Sequence, residues 1–391
     1  MDRIKITNGR IIFPYRVINN GCVIIEDGRI AGVHSGDVAI GEGAVIDAEN
    51  RYVAPGFIDI HTHGGGGHDF MDGVEEAYLG AVESHARHGT TSIVPTTLTS
   101  TNEELKNTFS VFRNACAKNK KGAQMLGLHL EGPYFAMSQK GAQDPRYIRN
   151  PDDAEYKQIL EWSGDIIRWS AAPELKGAME FAREMRKNNI LTSIGHSDAI
   201  YEDVLEAFEN GFTHITHLYS GMSGVRRINA YRYAGVIESA FLIDEMTVEI
   251  IADGCHLPAS LLKLIYKIKG SDRIALVTDS MRAAGMPEGV SILGSLNDGQ
   301  RVIVEGGVAK LMDRTAFAGS VATADRLVRT MVKEAEVTVQ EAVKMMTSTP
   351  ARIIGIDKSK GSLVPGKDAD IIIFDDDINV KMVMIKGNRL F

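Results

Sequence analysis

Pro55-Gly56-Phe57-Ile58-Asp59-Ile60-His61-Thr62-His63 decides how this 391-residue chain is read. Pro55-Gly56 breaks the preceding pattern, an apolar run follows, and two histidines end it. In an extended strand residues i and i+2 project to the same side, so the imidazoles of His61 and His63 can reach one metal ion from a rigid support. A two-histidine match also arises by chance, so its meaning depends on what the chain places beside it.

Before the break, residues 5–7, 11–13, 22–26 and 30–33 read as short strands with glycine-containing turns, the last two joined by Asp27-Gly28. The opening segment from Met1 to Ile6 alternates polar and apolar like a strand and lacks the cationic start and long apolar stretch of a signal peptide, which points to the cytoplasm. After the break, apolar runs alternate with helical segments. Eight candidate strands appear, at 57–61, 92–96, 126–131, 167–171, 191–196, 213–217, 248–253 and 274–279. Helix-like stretches lie between them at 75–88, 102–118, 175–188, 201–210 and 258–267. A βα order with eight strands predicts a closed α/β barrel of the (β/α)8 type.

Beyond the eighth strand, residues 301–305 and 308–312 alternate around Gly306-Gly307 as a hairpin, and helices are expected at 323–336 and 339–348. The chain then returns to β at 371–374 and 380–385. Both chain ends therefore predict one small β-sandwich, residues 1–54 with 357–391, beside a catalytic barrel of 55–356.

In parallel barrels the reactive groups stand at the C-terminal ends of strands. Here those ends carry His61 and His63, His129 and Glu131, His196, His214 and His217, Asp253 with His256 just beyond, and Asp279. Imidazole and carboxylate donors suit Zn²⁺, Fe²⁺ or Mn²⁺, and a single Glu placed between two ions could bridge them. Glu131, His196, His217, His61 and His63 are the candidate ligands. His129 and His214 read as supporting or core residues, and His85 and His88, three apart in a helix, read as a solvated face.

Composition narrows the remaining classes. Hydrophobic residues make up 44% and charged residues 24% of the chain, ordinary for a globular protein, and no run approaches the roughly 18 apolar residues of a membrane span. A net charge of −8 without a basic cluster argues against a nucleic-acid partner. Cys22, Cys116 and Cys255 are odd in number and widely spaced, which fits reduced thiols.

The barrel-end motifs resemble a known family. Pro55 to His63, His129-Leu130-Glu131-Gly132-Pro133, Gly195-His196-Ser197, Thr216-His217-Leu218, Ala252-Asp253-Gly254-Cys255-His256 and Thr278-Asp279 look like the N-acetylglucosamine-6-phosphate deacetylases of the amidohydrolase superfamily. The resemblance runs through almost the whole chain, including Pro365-Gly366-Lys367-Asp368-Ala369-Asp370.

It implies one or two divalent ions per subunit, with Glu131, His196 and His217 as ligands and His61 and His63 as a pair present where a second ion binds. Such an ion lowers the pKa of water toward neutrality and polarises an amide carbonyl. Asp279 matches the general acid/base, His256 a substrate-binding histidine and Arg232 the arginine that holds the sugar phosphate. Ala142, Gln143, Ser220, Gly221 and Gly319 are expected to complete the substrate pocket, in a homodimer.

This chain departs from the family where it has Gln143 in place of the usual histidine, which is associated with polarising the substrate carbonyl, and Ser220-Gly221 in place of Asn-Ala beside the phosphate. A neutral amide donates a hydrogen bond but carries no positive charge. The expected reaction is deacetylation of N-acetylglucosamine-6-phosphate. The alternatives are N-acetylgalactosamine-6-phosphate or another N-acyl compound, a cyclic-amide hydrolase or deaminase on the same barrel, and a non-catalytic homologue.

Overall fold

The structure is a computed structural model that describes residues 3–391; Met1 and Asp2, where the N-terminal alternation begins, lie outside the described residues. Both chain ends share one sheet. Arg3–Phe13 pairs antiparallel with Arg16–Glu26, which pairs with Arg29–Ser35, and Tyr52–Pro55 joins Arg3–Phe13 to the C-terminal strands Ile371–Phe374 and Val380–Ile385. Ile6, Ile11, Val23, Val53, Ile371 and Met384 close a core of their own. The two strands expected at 5–7 and 11–13 form a single strand. Asn8 takes a left-handed backbone (φ 53°), and register shifts around Gly9 absorb the irregularity as a bulge without ending the pairing.

Eight further strands are Phe57–Thr62, Thr90–Pro95, Leu128–Glu131, Ile166–Ala171, Leu191–Ile194, Phe212–Ile215, Thr247–Ile250 and Ile274–Leu276. The third to eighth pair in parallel in that order, and the first pairs with the second. A bridge between Thr96 and His129 links the second strand to the third. The Asp279 N–H donates to the His61 carbonyl at 2.9 Å and the His63 N–H to the Ser280 carbonyl at 2.9 Å, so the eighth strand meets the first. That ring is a (β/α)8 barrel. Its strands are buried on both faces because helices cover the outside, which is why they read as continuous apolar runs.

Helices at Glu75–Arg87, Asn102–Lys118, Ala178–Lys187, Tyr201–Asn210 and Ala259–Lys269 stand where the sequence predicts them. Asp153–Trp162 and Val236–Leu242, also helical, complete the βα alternation. Their mixed polarity hides the signal: the first buries only Tyr156 and Ile159. The helix expected at 339–348 is split into Val339–Met345 and Ser348–Ile353, because Thr347 leaves helical geometry. After the eighth strand, Gly289–Leu293, Gln300–Glu305 and Val308–Leu311 form a three-stranded antiparallel sheet. It brings Leu293 to the mouth of the barrel.

Candidate metal centre and substrate cavity

Each candidate ligand sits at or just past the end of its strand. His196, His217 and Asp279 have φ angles of 49°, 29° and 45°, so the chain leaves the strand abruptly at each of them. Non-glycine residues in this region are strained, and such strain gathers at functional sites.

The donors fall into two groups with ligand atoms in mutual reach: Glu131, His196 and His217; and His61, His63 and Asp279. Glu131 stands between them. Its Oε1 lies 2.9 Å from His217 Nε2, 3.3 Å from His196 Nε2 and 3.6 Å from His61 Nε2, while its Oε2 lies 3.3 Å from His63 Nε2. Asp279 Oδ1 lies 3.1 Å from His63 Nε2 and 3.4 Å from His61 Nε2. Four imidazole nitrogens thus converge on two carboxylates.

The charge balance has the character of a cation site. Burial depresses the His61 imidazole, but the carboxylates of Asp279, Glu131 and Glu249 outweigh it and raise His61 to about 9. His63 is raised well above its ordinary value in the same way, against burial, by Asp279 and Glu131. Burial pushes Glu131 and Asp279 up, yet the facing imidazoles hold both below the usual carboxylate range. A divalent ion supplies the same positive charge without protons on the rings. Among the described residues no Lys or Arg lines the cavity to supply it instead. The buried His61 Nε2 has no hydrogen-bond partner, which suits a nitrogen lone pair that a cation would take. The residues fit a metal.

His196 has its orientation fixed, since its Nδ1–H donates to the Gln139 carbonyl at 2.8 Å. A proton held on Nδ1 leaves Nε2 as a lone-pair donor. Gly221 permits that contact: a Cβ there would stand 2.8 Å from His196 Nδ1 and 3.0 Å from Gln139 O, at a φ of +56°. His61 gains the same kind of support from Glu249, 3.1 Å from its Nδ1. Arg168 pairs with Glu249, and both are fully buried.

A cavity of about 250 Å³ opens over the metal ligands, lined by His63, Ala142, Gln143, Ser220, Gly221, His256, Asp279 and Gly319 among others. His256 Nδ1–H donates to Asp253 Oδ2 at 2.8 Å, leaving Nε2 as the free ring nitrogen. Gln143 also lines the cavity, but its amide is engaged elsewhere: Nε2 donates to Glu131 Oε2 at 2.8 Å and Oε1 accepts the Thr99 N–H at 2.9 Å.

Arg232 stands apart. It belongs to the two-stranded hairpin of Arg226–Ile228 and Tyr231–Tyr233, is exposed, and does not line this cavity.

His129 is buried 2.7 Å from Ser170 Oγ and His214 2.7 Å from Thr247 Oγ1, and neither belongs to a ligand group. His85 is buried, contrary to the solvated face expected for it; its Nε2 lies 3.0 Å from the Gly64 carbonyl and 3.2 Å from Thr62 Oγ1. A helix packed against the barrel turns one such histidine inward.

Sequence reading missed Arg168 and Glu249. The available signal was a charge of each sign embedded in apolar strands, in Ile166-Ile167-Arg168-Trp169 and Val248-Glu249-Ile250.

Residues 52–390 match the sequence profile of the amidohydrolase family. The N-acetylgalactosamine-6-phosphate deacetylase of Escherichia coli O157:H7 is 35% identical over 364 residues, 93% of each chain. The N-acetylglucosamine-6-phosphate deacetylase of Bacillus subtilis (strain 168) is 35% identical over 387 residues, 97% of this chain and 95% of that one. Among solved structures, a mutant N-acetyl-D-glucosamine-6-phosphate deacetylase of Mycobacterium smegmatis, in complex with N-acetyl-D-glucosamine-6-phosphate, superposes with a TM-score of 0.91 at 28% identity, covering 100% of both chains.

Proposed function

The chain belongs to the amidohydrolase family, and from that membership we propose that its site removes the acetyl group from N-acetylglucosamine-6-phosphate, giving glucosamine-6-phosphate and acetate. The observation that carries the reading is the convergence of Glu131, His196, His217, His61, His63 and Asp279 beneath one cavity at the C-terminal end of the barrel.

Glu131, His196 and His217 would hold the indispensable ion, and His61, His63 and Asp279 a second one, of zinc, iron or manganese. When bound, such an ion acidifies water and polarises the amide carbonyl. Asp279 accepts the proton of the attacking water and delivers it to the departing amine, because an amide nitrogen leaves poorly until protonated. His256, oriented by Asp253, binds a substrate hydroxyl through Nε2. The turn at Tyr219-Ser220-Gly221, with φ of +80° at Tyr219 and +56° at Gly221, receives the phosphate end. Ala142 and Gly319 shape the walls. In this reading Gln143 serves Glu131 and does not polarise the substrate carbonyl.

Because Arg232 is exposed on its hairpin, its phosphate contact in this reading is made in the cavity of a second subunit of a homodimer. Among the described residues no helix is long and apolar enough to cross a membrane. A cytoplasmic enzyme with residues 1–54 and 357–391 as one unit and 55–356 as another completes the proposal. The second reading, N-acetylgalactosamine-6-phosphate as substrate, is favoured by the E. coli relative named for it.

Acetate release from both sugar phosphates and their unphosphorylated forms, with and without chelator, tests the proposal. Turnover of one phosphorylated isomer that a chelator abolishes and a divalent ion restores is the expected result. Equal turnover without phosphate would overturn the substrate assignment, and turnover that resists complete metal removal would overturn the metal assignment.

A further inference from the structure

Glu249 lies on the seventh barrel strand, with no exposure to solvent and no place in the cavity lining. Its Oε2 accepts from His61 Nδ1–H at 3.1 Å and from the His217 backbone N–H at 3.2 Å. One carboxylate oxygen therefore touches a residue of each ligand group.

The other oxygen, Oε1, takes Arg168 Nη1. Arg168 in turn donates from Nη1 to the Ile60 carbonyl at 3.2 Å, from Nη2 to Thr216 Oγ1 at 3.0 Å and from Nε to Ser193 Oγ at 3.0 Å. Ile60 and Thr216 immediately precede His61 and His217 in the chain. The buried ion pair is thus bonded to the strand that carries each ligand as well as to the ligand itself. A desolvated carboxylate keeps its charge only with such a partner, and the planar guanidinium fork supplies several fixed donors.

An imidazole offers a lone pair to a cation from one nitrogen only while the other holds its proton, and a carboxylate on that second nitrogen fixes both tautomer and ring angle. Glu249 does this for His61. The freed Nε2 is buried without a hydrogen-bond partner and lies 3.6 Å from Glu131 Oε1 and 3.4 Å from Asp279 Oδ1. His63 Nδ1 and His217 Nδ1 have no such support, so the second group depends on His61 for its fixed imidazole.

We propose that Glu249, held by Arg168, is a positioning residue that orients His61 and thereby sets occupancy of a second ion at His61, His63 and Asp279. This rests on the metal-centre reading above.

The test is titration of the metal-stripped full-length protein with Zn²⁺ by calorimetry, with elemental analysis and the visible spectrum of the Co²⁺ form. Wild type is expected to take two ions per chain. Glu249→Gln is expected to weaken the second by about 10–100-fold while keeping the ion at Glu131, His196 and His217. Because Glu249→Gln leaves a buried guanidinium without its counter-charge, the double variant E249Q/R168M serves as the fold control. Native circular dichroism with the same loss of the second ion, matched by His61→Asn, supports positioning. Wild-type affinity for both ions in Glu249→Gln or in the folded double variant would overturn the proposal, as would a single ion in wild type. Failure of wild type to bind any ion would instead refute the metal-centre reading itself.

Discussion

Gln143 Nε2 donates to Glu131 Oε2 at 2.8 Å, on the oxygen opposite the one that faces His196 and His217. The amide is buried, and its own carbonyl accepts the Thr99 N–H. Gln143→Ala leaves a buried carboxylate oxygen and a backbone N–H each short of a partner. Stability is expected to fall by about 1–3 kcal/mol, and metal affinity by about tenfold. Urea unfolding and chelator competition check this; an unchanged midpoint with unchanged affinity would show that the amide bond to Glu131 has no role.

Asp279→Asn keeps the shape of the side chain and removes its capacity to take and return a proton. A kcat decrease on the order of 10²–10⁴ is expected, with KM within a few-fold and the ion at Glu131, His196 and His217 retained. Steady-state kinetics beside elemental analysis read both quantities. Turnover close to wild type would remove Asp279 from the proton-transfer role.

Gly221→Ala tests the support of His196 from the opposite side. The added Cβ would crowd His196 Nδ1 and Gln139 O at 2.8 and 3.0 Å, on a backbone with φ of +56°. The expected outcome is loss of the Gln139–His196 hydrogen bond and a metal affinity weakened by about 10–100-fold. A crystal structure of the variant with that bond intact, together with wild-type metal affinity, would contradict it.

His85, which is not itself a candidate ligand, gives the fold a pH dependence of its own. Burial lowers its pKa from 6.5 to about 4, opposed only in part by its bond to the Gly64 carbonyl. The folded chain holds the ring neutral while the unfolded chain takes a proton below pH 6.5, so the stabilisation present above 6.5 is lost as pH falls toward 4. Over that window the loss amounts to roughly 3 kcal/mol at about 1.4 kcal/mol per unit. Urea midpoints of wild type should therefore fall more steeply between pH 6.5 and 4 than those of His85→Gln. Parallel slopes would show that His85 does not titrate as described.

The barrel was legible because its cause is local. Strands buried on both faces must be apolar throughout, and amphipathic helices must separate them, so the eight runs beginning at Phe57 appear at their places in the sequence. Elements with weak internal patterns escaped: Asp153–Trp162 buries few residues, and Gly289–Leu293 alternates only partly. Left-handed Asn8 shows the converse, where a turn-like dipeptide proved to be a bulge inside one strand.

His61, His63, Glu131, His196, His217 and Asp279 could be picked from sequence because strand ends concentrate reactive side chains, whatever the intervening chain does. Their grouping was offered only by the family resemblance and not by the strand pattern; the distances that make it so were not legible. That Glu131 stands between two sets of imidazoles, that Gln143 serves it, that Arg232 lies outside the cavity, and that Arg168 and Glu249 form a buried pair beneath His61 follow from distances across the barrel. The sequence by itself determined the periodicity of the strands and the chemical kinds of residue at their ends, because both are properties of neighbouring positions along the chain. Only the tertiary structure decided which of those residues share a proton, a charge or an ion, because residues as far apart as His61 and Glu249 meet only when the ring of strands closes.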